Sequence, residues 1–370
     1  MNDTEAMLQA IELAGRVRGT TAPNPWVGCV IEAPDGQVFV AATSPPGGPH
    51  AEAGALAAAG AAARGGTAWV TLEPCAHVGR TPPCADALID AGIRRVVVAI
   101  EDPDEKVAGA GLRRLRDAGV EVVVGVEAQA VRLQLAPYIK HRTTGRPWVV
   151  LKLGVSIDGR TAAPDGSSRW ITGGAARADA HQLRAISDAI VVGANTVRLD
   201  DPSLNVRHVD GADPLRVVLG RAAPDAKVQP ALEFEGPLTD LLDQLGERGV
   251  LQVLVEGGAT VAGDFHRGRL VDQYVLYVAP VIFGGDDAQP MFAGPGAPTI
   301  AEIWRGAFSA VVPLGADLRI DLVPALDGLA AGSVPLGRAA GAADEPITGS
   351  TPAVRADLSL PATDEPEEGT

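Results

Sequence analysis

Between Ala51 and Val124, and again from Trp148 to Ala279, the sequence alternates stretches of helical apolar spacing with short β-branched runs. Alternation of this kind confines a chain to mainly parallel sheets with helices on their faces, because each return to a parallel strand needs a crossover helix. In the first run the spacing predicts helices over Ala51–Arg64, Cys84–Ala91 and Gly111–Ala118, and strands over Ala68–Leu72, Arg95–Ile100 and Val120–Val124. Ahead of it, Met7, Leu8, Ile11, Leu13, Ala14 and Val17 mark a helix over 4–18 with Thr4 as its cap. Trp26–Glu32 and Val38–Ala42 then read as a hairpin across Pro34-Asp35-Gly36. A helix over Glu127–Lys140 is expected to end at a basic, turn-rich link, 141–147. In the second run helices are expected at Ala175–Ala185, Leu238–Arg248 and Ala259–Arg267. The strands are Trp148–Leu153, Ala189–Gly193, Leu215–Gly220, Leu251–Glu256 and Gln273–Ala279.

A chain of 370 residues has room for two such domains and a remainder. We place them at 1–146 and 147–325. From 326 to 370 the sequence turns to Ala, Gly, Pro and acid, with eight Asp or Glu against two Arg, which reads as a disordered acidic tail. Lys plus Arg number 31 against 46 Asp plus Glu, a formal charge of −15. That balance argues against nucleic-acid or anionic-membrane partners, so an anionic substrate has to be held by local arginines. Three cysteines cannot build a disulfide scaffold, and the N-terminus lacks a signal-peptide pattern. No stretch approaches about 18 apolar residues. A cytoplasmic protein is expected.

The strongest local signal is Pro49-His50-Ala51-Glu52, followed by Glu73-Pro74-Cys75 and then Pro83-Cys84. One imidazole and two thiolates suit Zn²⁺, and three protein ligands leave a position open for water, the pattern of a catalytic site. His50 and Cys84 fall at helix starts, where the positive helix end favours thiolate. Glu52, two residues after the histidine, is placed to act as general acid and base. Singly, each of these residues reads as an ordinary partly buried side chain, and Cys29 reads as core. Together they match the His-x-Glu and Pro-Cys signature of nucleobase deaminases, except that the cysteines are separated by the eight residues 76–83. That loop makes His77 and Arg80 candidate substrate contacts. Further on, Glu256-Gly257-Gly258 closes a strand and opens a helix, a turn that suits either a phosphate cradle or plain packing. Two other readings stay open on these residues. One is a zinc deaminase of another base with a non-reducing nucleotide-binding second domain. The other is a non-catalytic zinc-stapled binding protein, with His77 as fourth ligand.

The segments Thr21–Val30, Pro49–Glu52 and Thr71–Cys84 resemble the bacterial bifunctional deaminase/reductase family of riboflavin biosynthesis, with the eight-residue loop as the discriminating feature. The segments 151–160, 170–172, 193–197, 200–204 and 255–258 resemble its second half. The resemblance runs from about residue 5 to about residue 323. It implies a cytidine-deaminase-like three-layer α/β/α domain and a dihydrofolate-reductase-like α/β domain. The implied reactions are deamination of 2,5-diamino-6-ribosylamino-4(3H)-pyrimidinone 5′-phosphate and NADPH-dependent reduction of its ribosyl group to ribityl. Zn²⁺ would lie on His50, Cys75 and Cys84, with Glu52 catalytic. NADPH would meet Gly154, Trp170, Thr196, Asp200 and the turn from Gly257, Gly258 to Gly263. The phosphorylated pyrimidine would meet Asn24, His77 and Arg80 in one domain and Ser168, Arg184, Leu204, Arg207 and Glu256 in the other. A homo-oligomer is implied as well. The sequence departs from the family pattern at Thr43, where a histidine is common, and at Gly220-Arg221, where Asp-Ser is usual. The segment from Gly220 to Leu238 is also short.

Overall fold

In the computed structural model, which describes residues 1–76, 82–104 and 107–325, helix α1 (Asp3–Arg16) opens the chain. Its cap is Asn2 and not Thr4: the Asn2 side chain accepts from the Glu5 N–H and Glu5 reaches back to the Asn2 N–H. This reciprocal pair satisfies two donors that Thr4, already inside the helix, cannot reach. The hairpin strands are β1 (Gly28–Glu32) and β2 (Val38–Ala42). Helix α2 (Ala51–Ala59) is shorter than expected, because its last turn tightens to a 3₁₀ form over Gly60–Ala63. Next come β3 (Thr67–Leu72), α3 (Cys84–Asp90), β4 (Arg95–Ile100), α4 (Ala110–Asp117) and β5 (Glu121–Val124). The helix expected over Glu127–Lys140 is two helices, α5 (Ala128–Gln134) and α6 (Ala136–Thr144). Pro137 sits in the first turn of α6, where its missing N–H costs nothing, so it starts a helix there. α6 therefore runs through most of the segment read as a link and stops at Gly145, whose φ is 75°.

The first sheet has the order β2-β1-β3-β4-β5, antiparallel at its β2/β1/β3 end and parallel through β4 and β5. β3 and β4 are buried along nearly their whole length, as strands covered on both faces must be. α1 lies directly on β1. Its buried Ala6, Ala10 and Ala14 form a small-residue stripe, and a Cβ at Gly28 would stand 1.9 Å from the Ala10 carbonyl. That close approach fixes where the Ala22–Val27 loop crosses the top of the sheet.

The second half begins with β6 (Trp148–Ser156), β7 (Arg160–Ala162), α7 (Gly174–Ala185), β8 (Ala189–Gly193), α8 (Ala194–Asp200), β9 (Leu215–Leu219) and β10 (Leu232–Phe234). It continues with α9 (Leu238–Glu247), β11 (Gln252–Val255), α10 (Ala259–Arg267), β12 (Gln273–Ala279), β13 (Gln289–Pro290), β14 (Gly306–Leu314) and β15 (Asp317–Pro324). Its eight-stranded sheet runs β10-β9-β8-β11-β6-β12-β15-β14, parallel from β10 to β12 and closed by the antiparallel β15 and β14. β7 and β13 form a separate pair. The short segment after Gly220 keeps a strand, β10.

The described residues lie in one compact unit, and its two sheets are tied by polar contacts as well as packing. Lys140 meets Asp272 at 2.5 Å, Arg18 donates to Gln252 at 2.6 Å, and His141 Nε2 lies 3.0 Å from the Gly246 carbonyl. Leu251 packs into the core of the first sheet. Among the described residues no helix is long and apolar enough to cross a membrane.

Candidate functional site

Two crossover turns and one loop converge on the first site. His50 caps α2, Cys84 is the first residue of α3, and Cys75 follows β3. His50 Nδ1 lies 3.4 Å from Cys84 Sγ and 3.8 Å from Cys75 Sγ, and the three donor atoms fall within 4.8 Å of one another. The Cys84 N–H donates to Cys75 Sγ at 3.3 Å, so the start of α3 supports a thiolate there. Donation from the Cys84 thiol, with His50 beside it, lowers the Cys75 thiol, and the same contact raises that of Cys84. His50 is raised by its contact with Cys75. One imidazole with two sulfurs at this spacing is a donor set zinc accepts.

Glu52 is 4% exposed and lines the same cavity of about 260 Å³. Burial pushes its carboxyl up to about 7, which lets it hold or release a proton near neutrality. Asn24, Thr43, His50 and Cys75 line this cavity too. The Thr43 hydroxyl is committed to the backbone, lying 3.1 Å from the Val27 N–H. His77 and Arg80 lie outside the described residues. Cys29 is fully buried, and burial raises its thiol well above the usual range.

Three of the lining groups that were not anticipated bear on the site directly. Tyr138 and Arg142 project from α6, whose C-terminal turn, with Arg142, was hidden by the reading of 141–147 as a link. Glu73 is the third. Its Oε2 accepts from the Asp102 and Gly109 N–H groups at 3.1 and 2.9 Å, and its Oε1 from Gly111 and Leu112 at 2.8 and 3.3 Å. One carboxylate thereby caps α4 and fixes the chain two residues before Cys75. Its partners lie 29 to 39 residues away, so no local signal could announce the clamp.

The second site is a cavity of about 750 Å³ that brings together Ser168, Trp170, Arg184, Asp200, Leu204, Arg207 and Glu256. Lys152, Arg169, Arg177, His181 and Lys227 also line it, so its walls are more cationic than the acidic chain around them. Arg184 grips Glu256 bidentately at 2.6 and 2.9 Å and gives a third bond to the Asn205 carbonyl. Arg207 donates to Ser203 and Asn205 at 3.0 Å. Trp170 is 69% exposed, with the Arg177 guanidinium 4.5 Å from its ring centre.

Gly154, Thr196, Gly257 and Gly258 do not line that cavity. Gly258 caps α10, and a Cβ on it would lie 3.5 Å from Thr196 Oγ1. A Cβ at Gly257 would meet Val261 at 2.5 Å. Bare backbone at the start of a helix is a fitting cradle for a cofactor phosphate. Gly263 lies inside α10 against the Ala293 carbonyl and serves packing, so the turn ends at Gly258.

Burial alone would raise the Glu256 carboxyl, but Lys152 and Arg184 outweigh it and hold it at about 2 against an ordinary 4.5. A carboxyl depressed in the folded state adds stability that is complete above its unfolded value and is lost as pH falls toward the folded one. Wild type should therefore lose thermal stability more steeply than Glu256→Gln roughly between pH 5 and pH 3. Parallel melting curves against pH would contradict this.

Residues 147–312 match the RibD C-terminal domain family, and residues 1–100 match the cytidine and deoxycytidylate deaminase zinc-binding region. The riboflavin biosynthesis protein RibD of Mycobacterium tuberculosis is 44% identical over 335 residues, spanning 86% of this chain and 96% of its own. The chain belongs to the RibD family. RibD of Escherichia coli is 38% identical over 369 residues, covering 88% of this chain and 100% of its own. Among solved structures, Acinetobacter baumannii RibD superposes with a TM-score of 0.82 at 41% identity, covering 88% of this chain and 99% of that one. A Thermotoga maritima structure described as a diaminohydroxyphosphoribosylaminopyrimidine deaminase/5-amino-6-(5-phosphoribosylamino)uracil reductase gives 0.79 at 31% identity, covering 87% and 99%. This RibD-family chain is thus a bifunctional enzyme of riboflavin biosynthesis, a zinc-dependent deaminase joined to an NADPH-dependent reductase. RibD membership decides against the non-catalytic zinc-stapled reading and the non-reducing one.

Proposed function

We propose that residues 1–146 deaminate 2,5-diamino-6-ribosylamino-4(3H)-pyrimidinone 5′-phosphate and that residues 147–325 reduce the ribosyl group of the product to ribityl phosphate. The observation that carries the first step is Glu52 in one small cavity with His50 and Cys75, whose donor atoms cluster with Cys84 Sγ. His50 Nδ1 and the two sulfurs would hold the zinc, which supplies a Lewis acid that activates water toward the amine-bearing ring carbon. The Glu52 carboxylate takes a proton from the attacking water and returns it to the departing amine, and its burial keeps bulk water from competing. Asn24, on the cavity wall, offers an amide to the polar edge of the pyrimidine.

For the second step, Gly154, Trp170, Thr196, Asp200, Gly257 and Gly258 would hold NADPH, which supplies the hydride. Ser168, Arg184, Leu204, Arg207 and Glu256 would hold the substrate. Arg184, paired with Glu256, would also keep that carboxylate ionised and oriented, and Arg207 would offer its guanidinium to the phosphate. A cytoplasmic homo-oligomer completes the reading.

Chelation tests it. Zinc-depleted protein should release no ammonia from the diamino substrate yet still oxidise NADPH with the deaminated one, and zinc should restore the first activity. Ammonia release persisting with zinc below about one tenth per chain would reject the assignment.

A further inference from the structure

We propose that His181 is a positioning residue of the reductase cavity: its Nδ1 holds the backbone of Arg207, and with it the loop that carries Leu204 and Arg207, in the form that receives the substrate. The inference rests on the reductase reading of that cavity and deepens it. His181 lies on α7 three residues before Arg184, is 7% exposed, and lines the cavity of about 750 Å³. The loop follows α8, and two of its residues have left-handed backbones, Leu204 with a φ of 50° and His208 with a φ of 68°. Residues with a Cβ rarely adopt that conformation, which persists only where the surroundings hold it.

Polar side chains hold the backbone of this loop, and the one that reaches Arg207 is His181. Arg184 Nη1 donates to the Asn205 carbonyl at 3.2 Å, the Val206 N–H donates to Asp213 Oδ1 at 2.8 Å, and the Arg207 N–H donates to His181 Nδ1 at 3.1 Å. A backbone N–H can only donate, so Nδ1 is the acceptor and the proton of the neutral ring sits on Nε2. Burial, with Arg184, Arg207 and His208 alongside, lowers the imidazole to about 4 against the opposing pull of Glu256, so Nδ1 stays a bare acceptor near neutral pH. The Arg207 side chain does not anchor the loop, because its own bonds go to Ser203 and Asn205 within it. The His208 ring stands edge-on to that of His181, with centroids 5.3 Å apart at 84°. α7 is itself fixed by Ala176, Ala180 and Leu183, in the same core that takes Leu204. Without the imidazole acceptor the Arg207 guanidinium is no longer delivered to one place, and the loss falls on substrate binding.

The test follows NADPH oxidation with the deaminated substrate, using zinc-loaded full-length protein. His181→Asn places an amide oxygen close to where Nδ1 stands, whereas His181→Gln, whose amide lies one carbon further out, and His181→Leu leave the Arg207 N–H without that acceptor. The Gln and Leu variants should show a KM for the deaminated substrate raised about 10-fold or more, with kcat and the KM for NADPH within about twofold of wild type, and Asn should recover most of the loss. Hydrogen exchange of the amides over 204–208 should quicken in the Gln and Leu variants and not in the Asn variant. NADPH binding followed by fluorescence, together with ammonia release from the diamino substrate, reports whether each variant is folded. An unchanged substrate KM in the Gln and Leu variants, or an Asn variant that fails as fully as they do with NADPH binding intact, would overturn the role of His181 and leave the reductase reading standing. Failure of wild type to oxidise NADPH with the deaminated substrate would remove that reading itself.

Discussion

Glu52→Gln should release ammonia at least about 10²- to 10⁴-fold more slowly than wild type while its NADPH oxidation with the deaminated substrate stays unchanged. Gln has nearly the volume of Glu, so the first turn of α2 and the cavity wall keep their shape, and what is lost is a group that can accept a proton. Burial places this carboxyl at about 7, close to where a shuttle works best. The reductase cavity shares no lining residue with the deaminase cavity, which makes the second activity an internal control in the same chain. A Glu52→Gln variant with wild-type ammonia release would show that the proton travels by another path.

Glu73→Ala should be the most destabilising single change in the first half. It leaves four N–H groups, those of Asp102, Gly109, Gly111 and Leu112, without their acceptor. Buried donors left unpaired cost about 1–3 kcal/mol each, and water can reach some of them once the carboxylate is gone, so a total of about 3–5 kcal/mol is expected. That corresponds to a fall in Tm on the order of 10 °C. Cys75 is two residues away, so zinc content should fall with stability. Gly111→Ala gives an independent check on the same junction, because its Cβ would stand 1.9 Å from the Pro74 carbonyl and push α4 off the loop that carries the cysteine. Thermal unfolding and metal analysis of both variants decide the matter: wild-type Tm and full zinc in either would refute the clamp.

These two residues mark how far the sequence can be read. His50, Glu52, Cys75 and Cys84 were legible because helix-start geometry and donor chemistry are both local, and the resemblance to a known family added the substrate. Glu73 stands beside Cys75 in the same motif, yet its role stayed hidden because its partners come from the segment after β4 and the first turn of α4, across an intervening helix and strand. Arg142 was concealed differently. Thr143, Thr144 and Gly145 resemble a turn, but both threonine hydroxyls bond back to carbonyls of the preceding turn and Gly145 ends the helix in a left-handed conformation. The first residues of a segment read as a linker are therefore the last turn of a helix that lines the first cavity. β14 and β15 escaped notice for a third reason. They form an antiparallel edge with mixed burial, so their apolar residues follow no uniform period. In the second half, Arg184 lines one cavity with the other residues expected to meet the substrate, but its pairing there with Glu256, 72 residues on, had no local signal.

The central claim is that one chain performs two consecutive steps on one phosphorylated pyrimidine. The most direct measurement is ammonia release and NADPH oxidation followed together on purified, zinc-loaded protein given the diamino pyrimidinone ribosyl phosphate. The account predicts that ammonia appears first and that NADPH is then consumed in equal amount. NADPH consumption without prior ammonia, or ammonia with no NADPH consumption even when the deaminated substrate is supplied, would contradict it.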